Sequence, residues 1–411
     1  MAPTILNSTI ILNESLRLFR TKCKALHAVN RDYDKRFGDN ASLKPGTTLY
    51  ARKPIQVTIR DGKKRNVQDT VEEKIPVTCT TQFGVDLPAF TSEQKTMNID
   101  NFSKLYLEPV MSRMASELDR LILQHAALNF HQYVGTAGTT PATATVLLQA
   151  GQKLTEMNCP DDDRFCILNP AANTAIVNAV TGFYNPSSII DEQYKTGYLQ
   201  SSLGLKVAVS NNIHRVTQGS RTGSAILVDE PSGTNLIEGM EMVHIDGIGS
   251  TTTIKKGEKF TISGVYSVTP ETKINTGSLQ QFTVTADAVG ATTECDLYFS
   301  PAIRATGARQ NVNALPVDGT DAGNGELTFA GTTASTAYPY NIIMHKDALT
   351  LVTADLPLPK GVNEARRDVL DGISMRYIED YDGTNDEFFS RWDIFYGIST
   401  LYDYLGVVLL G

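Results

Sequence analysis

Apolar and polar positions change their period several times along the first third of the chain. In residues 13–36, Leu16, Phe19, Cys23, Leu26 and Tyr33 fall on one stripe at helical spacing. With Asn13 as N-cap, the pattern predicts an amphipathic helix over 13–36. Residues 49–79, LYARKPIQVTIRDGKKRNVQDTVEEKIPVTC, hold two extended, β-branched runs on either side of Asp61-Gly62. That dipeptide between two such runs predicts a β-hairpin. Residues 98–135 return to the helical period through Leu107, Val110, Met114, Leu118, Leu121 and Leu128, with Gly135 closing the segment. Pro109 predicts either a kink or a late start. A helix from 102 to 133 would run roughly 48 Å, the length of a spine along an elongated domain.

Beyond the spine the pattern is mixed. Helical spacing recurs at 145–158 and 170–182, and LGLKVAVS (203–210) reads as a buried strand. From about 215 to 340 the chain becomes rich in Thr, Ser and Gly, with short alternating runs such as MEMVHIDG, KFTISGVYSV and LQQFTVTAD. Such runs predict a small all-β barrel or sandwich. The mixed texture resumes at 340–359, which favours a β-domain inserted into another domain over a linear string. Near the C-terminus, two extended runs flank Asp382-Gly383.

Composition narrows the function classes. The 411 residues carry a formal charge of −8 with 41% hydrophobic and 20% charged residues, as in ordinary globular proteins. A net acidic chain is a poor general nucleic-acid binder. The 5 cysteines are scattered without a CxxC, which suits a reducing compartment and no disulfide framework. The N-terminus lacks signal-peptide features, and no apolar run is long enough to span a membrane. The expectation is a soluble chain made in the cytosol.

Catalytic constellations are not evident. The sequence holds no GxSxG elbow, no GxxxxGK[ST] phosphate loop and no GxGxxG turn. The 6 histidines never pair at helical metal spacing; His125 and His131 are six apart. The acidic run CPDDDRFC (159–166) reads as a solvated loop before a strand. DGTDAGNGE (318–326) offers Asp318, Asp321, Asn324 and Glu326 but misses the EF-hand spacing. Neither an enzyme nor a bound metal or cofactor is expected.

The charged hairpin then poses the main question. Arg60, Asp61, Lys63, Lys64 and Arg65 crowd its turn, and Glu72, Glu73 and Lys74 follow. A two-stranded ribbon alone is marginal in water, so it needs something to lie on. It either folds back on its own domain or docks elsewhere. The helix at 13–36 leaves a similar choice: Arg17, Arg20, Lys22 and Lys24 form either a solvated face or a partner-binding one.

The order of these elements resembles the major capsid proteins of tailed bacteriophages, most closely the P-22-type short-tailed phage branch with an inserted β-barrel. The hairpin at 47–83 followed by the helix at 98–134 is similar to that fold's extended loop and spine helix. IKKGEKFTISGVYSV (254–268) is similar to a segment of the family's inserted domain, and WDIFYGISTLYDYLGVVLLG (392–411) to its closing run. The resemblance implies an α+β, HK-97-type capsid fold. Its parts would be an N-terminal arm (1–40), extended loop (41–96), spine helix (97–134), axial domain (135–214 and 341–372), inserted β-barrel (215–340), and a peripheral β-element with the C-terminus (373–411).

Function follows from the resemblance as a set of expectations. The chain would self-assemble through pentamers and hexamers into an icosahedral shell around a double-stranded DNA phage genome. Its partners would be copies of itself, a scaffolding protein, a portal protein, and packaged DNA held without sequence-specific contact; no membrane is involved. It would reside in the virion, and in the host cytoplasm during assembly. The hairpin charges would contact a neighbouring subunit, and the four basic N-arm residues would meet scaffold or act in expansion. Asp229, Glu230, Lys255, Lys256, Glu258 and Lys259, on loops of the inserted domain, would bridge capsomers or remain solvated. Two other readings fit less of the chain: an encapsulin-like nanocompartment shell, which usually lacks a large β-insertion, and a β-rich ligand-binding or adhesin-like protein.

Overall fold

The computed structural model describes residues 8–31, 48–57, 62–64, 73–91, 103–180, 201–221, 225–230, 236–319, 325–385 and 387–411. The chain forms two compact units. One comprises Met1–Arg52, Lys74–Ile122 and Leu349–Leu401; the other comprises Lys53–Glu73, Leu123–Ala348 and Tyr402–Gly411.

The first unit is built on a five-stranded antiparallel sheet. Strands β18 (Leu349–Ala354), β19 (Glu364–Leu370), β20 (Ile373–Asp382) and β21 (Glu387–Thr400) run in the order β18-β21-β20-β19, and β3 (Thr81–Thr91) also pairs with β21. Trp392 and Tyr377 are fully buried cross-strand partners with ring centroids 5.0 Å apart. Asp393 is also buried, held by Arg376 at 2.6 Å and Arg391 at 2.7 Å. Gly84 lies opposite it in the register; a Cβ there would come within 2.5 Å of the Asp393 carboxylate. The strand tolerates glycine at this point because the carboxylate occupies the space.

Helix α1 (Ser8–Lys22) packs on β19 and β20, burying Ile11, Leu12, Leu16, Leu18 and Phe19. This corrects the expected helix at 13–36. The helix starts earlier, Asn13 is exposed within it, and a 3-10 turn (Ala25–Ala28) succeeds it. The buried carboxylate of Asp119 explains the early end. It accepts from Lys24 N (3.1 Å), Ala25 N (2.9 Å) and Cys23 Sγ (2.9 Å), drawing these groups out of helical pairing. Residues 32–36, Tyr33 included, lie outside the described residues.

The spine is shorter than the periodicity predicts. Helix α2 (Glu108–Asn129) follows one π-helical turn (Ser103–Leu107), so Pro109 sits in its first turn and marks a late start instead of a kink. At 22 residues it is about 33 Å long. It stops before β4 (Gln132–Val134), which pairs in parallel with β22 (Gly406–Leu410). Gly135, at φ +92°, therefore closes a strand, not the helix; a Cβ there would meet Leu410 O at 3.0 Å.

The second unit combines a mixed sheet with a barrel. The sheet contains β4, β22, β17 (Ala337–His345), β5 (Arg164–Leu168), β7 (Leu205–Val209) and β6 (Ser201–Ser202), with β8 (Arg215–Thr217) on β17. Helices α3 (Ala144–Glu156) and α4 (Pro170–Val180) belong to the same unit. The closed barrel orders its strands β10-β15-β13-β12-β16-β9: β9 (Ile226–Val228), β10 (Met240–Asp246), β12 (Lys259–Val268), β13 (Asn275–Val284), β15 (Cys295–Ile303) and β16 (Glu326–Phe329). Closure removes the sheet edges. Phe260, Phe282, Phe299 and Phe329 fill the interior, with centroids 5.1–5.9 Å apart. Entry to and exit from the barrel lie side by side, because β8 and β17 pair at Arg215↔Pro339 and Thr217↔Ala337.

Candidate functional site

The hairpin strands are β1 (Thr48–Arg52) and β2 (Lys74–Thr78), antiparallel from Thr48↔Thr78 to Arg52↔Lys74. That register is centred on residue 63, next to the Asp61-Gly62 dipeptide. Arg60, Asp61, Arg65 and Glu72 lie outside the described residues. Lys63 and Lys64 are exposed, as is Lys74 on β2. Glu73 has partners in its own chain: Lys53 Nζ at 3.5 Å and Arg309 Nη1 at 3.3 Å. Tyr50, Ile55 and Val57 present apolar surface at 56–69% exposure.

The basic residues of α1 have intrachain contacts too. Arg17 pairs with Glu14 (2.7 Å), Arg20 with Asp371 (2.9 Å) and Lys22 with Glu108 (2.7 Å). Lys24 is exposed while its amide binds Asp119. These are surface pairs, screened by solvent and weak enough to exchange partners.

The KKGEK segment departs most from expectation. Gly257 has φ +91°, which favours glycine, and a Cβ would lie 2.5 Å from Leu128 Cδ2 at the end of α2, displacing that side chain. Glu258 and Lys259 are not exposed bridging charges; both are fully buried. Glu258 accepts from Gly219 N and Lys255 N, each at 2.7 Å, and pairs with Arg221, whose guanidinium lies 4.1 Å from the Phe329 ring centroid. Burial pushes its carboxyl pKa up, against the Arg221 charge.

Lys259 Nζ donates to Ala127 O (2.9 Å), Phe130 O and Thr283 Oγ1 (2.8 Å). Carbonyls of a helix's last turn lack amide partners within the helix and carry its negative partial charge. A barrel lysine thus caps the C-terminal end of α2. Burial pushes its pKa well down; the three oxygens oppose that by favouring the ammonium. Glu230 is likewise buried, at 6% exposure, with its amide on Asp318 Oδ1 at 2.8 Å. Asp321 and Asn324 fall outside the described residues. Lys255 does reach solvent, pairing with Asp287 at 2.8 Å, and Lys256 is exposed.

One constellation was missed by sequence reasoning. His244, Asp229, Glu294 and Asp296 converge on the barrel exterior. His244 Nδ1 is 2.7 Å from Asp296 Oδ1, and this hydrogen bond holds the imidazole pKa above its ordinary value. His244 lies on β10 and Asp296 on β15, with Asp229 just past β9 and Glu294 just before β15, so the strand register brings them together.

The family model described as "P22 coat protein - gene protein 5" matches residues 78–411. Comparison with curated proteins finds no match. Similar solved structures include Mycobacterium phage Che8, at 10% identity over 94% of this chain and 90% of that one, with a TM-score of 0.47. They also include the head structure of Helicobacter pylori bacteriophage KHP40 (8% identity, 100% and 93% covered, TM-score 0.42) and the capsid of cyanophage P-SCSP1u (11%, 90% and 89%, 0.40). Since the family match takes in β3, α2, the mixed sheet, the barrel and the closing strands, the chain belongs to the P22 coat protein family.

Proposed function

We propose that the chain acts as a shell subunit, assembling through pentamers and hexamers into an icosahedral capsid around a double-stranded DNA genome. The observation that carries this reading is the extent of the family match, from Thr78 to Gly411. The two-stranded β1–β2 ribbon supports it: Tyr50 is exposed on a strand that, among the described residues, pairs with β2 alone. A neighbouring subunit would cover such a surface, with Lys63, Lys64 and the remaining hairpin charges setting register.

In this reading, residues 1–40 form the N-arm and 41–96 the extended loop. The spine lies within 97–134, the axial domain within 135–214 and 341–372, the inserted domain within 215–340, and the peripheral β-element within 373–411. A scaffolding protein would guide assembly by competing for the weak pairs of Arg17, Arg20, Lys22 and Lys24. A portal protein would occupy one vertex, and DNA would be packed without sequence-specific contact. The net charge of −8 suits a lining that does not hold phosphate tightly. Assembly would take place in the host cytoplasm and the product would be the virion.

Sedimentation velocity on the purified chain, followed by negative-stain microscopy of any fast fraction, tests the reading. Closed shells, tubes or spirals of megadalton mass are expected, with scaffold co-expressed if required. A species that stays at its 44.8 kDa monomer mass under crowding, raised salt and scaffold co-expression would refute it.

A further inference from the structure

The barrel exterior carries a row of side chains for which capsid assembly has no evident use. Asp229 follows β9 directly, and its amide donates to His244 O at 2.9 Å, placing Asp229 beside His244. On the other side, His244↔Asp296 is a register pair between β10 and β15. Asp229, His244 and Asp296 therefore form a cross-strand row over three adjacent strands. Side chains alternate along a strand, so Glu294, two residues before Asp296, points to the same face. The inward set, Val228, Val243, Ile245, Cys295 and Leu297, is buried, which confirms that this row faces outward.

Charge and tautomer then define what the row can hold. Three carboxylates surround one imidazole. Among the described residues, His244 is the only ion-pair partner of Glu294 and Asp296, and Asp229 has none. In the neutral imidazole, the Asp296 carboxylate 2.7 Å away keeps the proton on Nδ1. Nε2 is then left unprotonated, with Glu294 Oε2 3.6 Å from it. Ligand atoms of Asp229, His244 and Glu294 all lie within 4.8 Å of one another. Tetrahedral zinc, at about 2.0–2.1 Å from its ligands, would set those atoms roughly 3.3 Å apart. The histidine–Glu294 spacing is close to that, and Glu294, 54% exposed, has room to complete the closure.

We propose that Asp229, His244 Nε2 and Glu294 bind a divalent transition-metal ion, zinc by donor preference, with Asp296 behind the imidazole as a positioning residue. The carboxylate–histidine–metal relay fixes the ring and strengthens it as a ligand. One nitrogen and two carboxylate oxygens on an open surface leave the remaining position to water. Bound there, the ion would tie β9, β10 and β15 together from outside.

The test uses the full-length chain, stripped with chelator and titrated with Zn²⁺ by calorimetry at pH 7.5, and in parallel with Co²⁺ by visible absorption. One equivalent is expected, with cobalt d–d bands and no thiolate charge-transfer band, since all five cysteines are buried elsewhere. Asp296→Asn should weaken binding about 10- to 100-fold, and His244→Ala should abolish it. Ser263→Ala, on the same barrel, serves as the folding control and should leave binding unchanged. Absence of stoichiometric binding to the folded wild-type chain overturns the proposal. So does binding that survives His244→Ala, or a thiolate band in the cobalt spectrum. Loss of binding in a His244→Ala chain that no longer folds is resolved by Glu294→Gln. That exposed substitution should still lower affinity at least tenfold; unchanged affinity in it overturns the proposal.

Discussion

Replacing Lys259 with methionine asks which of two opposing effects governs the barrel's attachment to α2. Burying an ammonium is costly, and exchanging buried ionic groups for hydrophobic ones is often neutral or stabilising. That result requires both partners to be replaced. Here the partners are backbone carbonyls, which no side-chain substitution removes. In Lys259→Met the stem is retained and Ala127 O and Phe130 O lose their donor. Thr283 Oγ1 keeps another contact, donating to Leu128 O at 3.3 Å, so two groups are stranded. At about 1–3 kcal/mol for each stranded group, less relief of the ammonium's desolvation, the net loss should be ~2–4 kcal/mol. Lys259→Ala should cost more, because it also leaves a cavity. The only tryptophan, Trp392, lies in the other unit and is a poor reporter. Hydrogen exchange with mass spectrometry should be followed instead on peptides covering 123–134 and 259–284. Protection there should fall roughly 30- to 1,000-fold, at tenfold per 1.4 kcal/mol. Wild-type or greater protection in Lys259→Met would refute the capping argument.

Other perturbations test separate parts of the structure. Burial, aided by the Lys256 charge, pushes the His125 pKa from 6.5 down to about 4. Since the folded state resists protonation, this contribution is complete above pH 6.5 and is lost as pH falls towards 4, up to about 3 kcal/mol. A urea titration against pH should show that slope in wild type and a flatter one in His125→Gln. Asp119→Ala strands the Lys24 and Ala25 amides; it should cost about 2–4 kcal/mol and speed the reaction of buried Cys23 with a thiol reagent. Gly84→Ala would place a Cβ 2.4 Å from Trp392 O and displace the Asp393 carboxylate; destabilisation of about 1–3 kcal/mol, read by Trp392 fluorescence during unfolding, is expected.

The features legible in the sequence were those fixed by local chemistry. Of the kink or late start that Pro109 predicted, the helix shows the late start, because proline acts through its own backbone. The β1–β2 pairing ends at Arg52↔Lys74, and Asp61, in the predicted turn, lies outside the described residues. Alternation over 215–340 revealed β structure, since every barrel strand buries one face. What escaped depended on distant partners. Nothing within 13–36 marks Asp119, 95 residues on from Lys24, as the group that ends α1. β4 exists because β22 offers a parallel edge, and HQYVG carries no strand signal strong enough to end a helix. Asp371-Gly372, the tight turn between β19 and β20 with both residues at positive φ, was a readable hairpin signal overshadowed by the apolar runs around it.

The misassigned charges share one physical cause. Glu258, Lys259 and Glu230 follow or precede turn-like residues, so composition places them on solvated loops. All three are buried instead, Glu258 and Lys259 because their side chains have polar partners at fixed places, Glu230 with its amide held by Asp318. Glu258 secures the turn that presents Gly257 to α2, and Lys259 caps the same helix end. A glycine, a buried acid and a buried base thus make one clasp from three consecutive positions, which accounts for KKGEK as a structural requirement of the barrel–helix junction. The same reasoning separates charges committed to the subunit's interior from those with surface to offer. Among the described candidates, Lys63, Lys64, Lys74 and Lys256 are exposed, whereas Glu258, Lys259 and Glu230 are not. Charge reversal at the exposed positions should alter assembly with little effect on subunit stability. Reversal at the clasp should unfold the junction before any shell contact is tested.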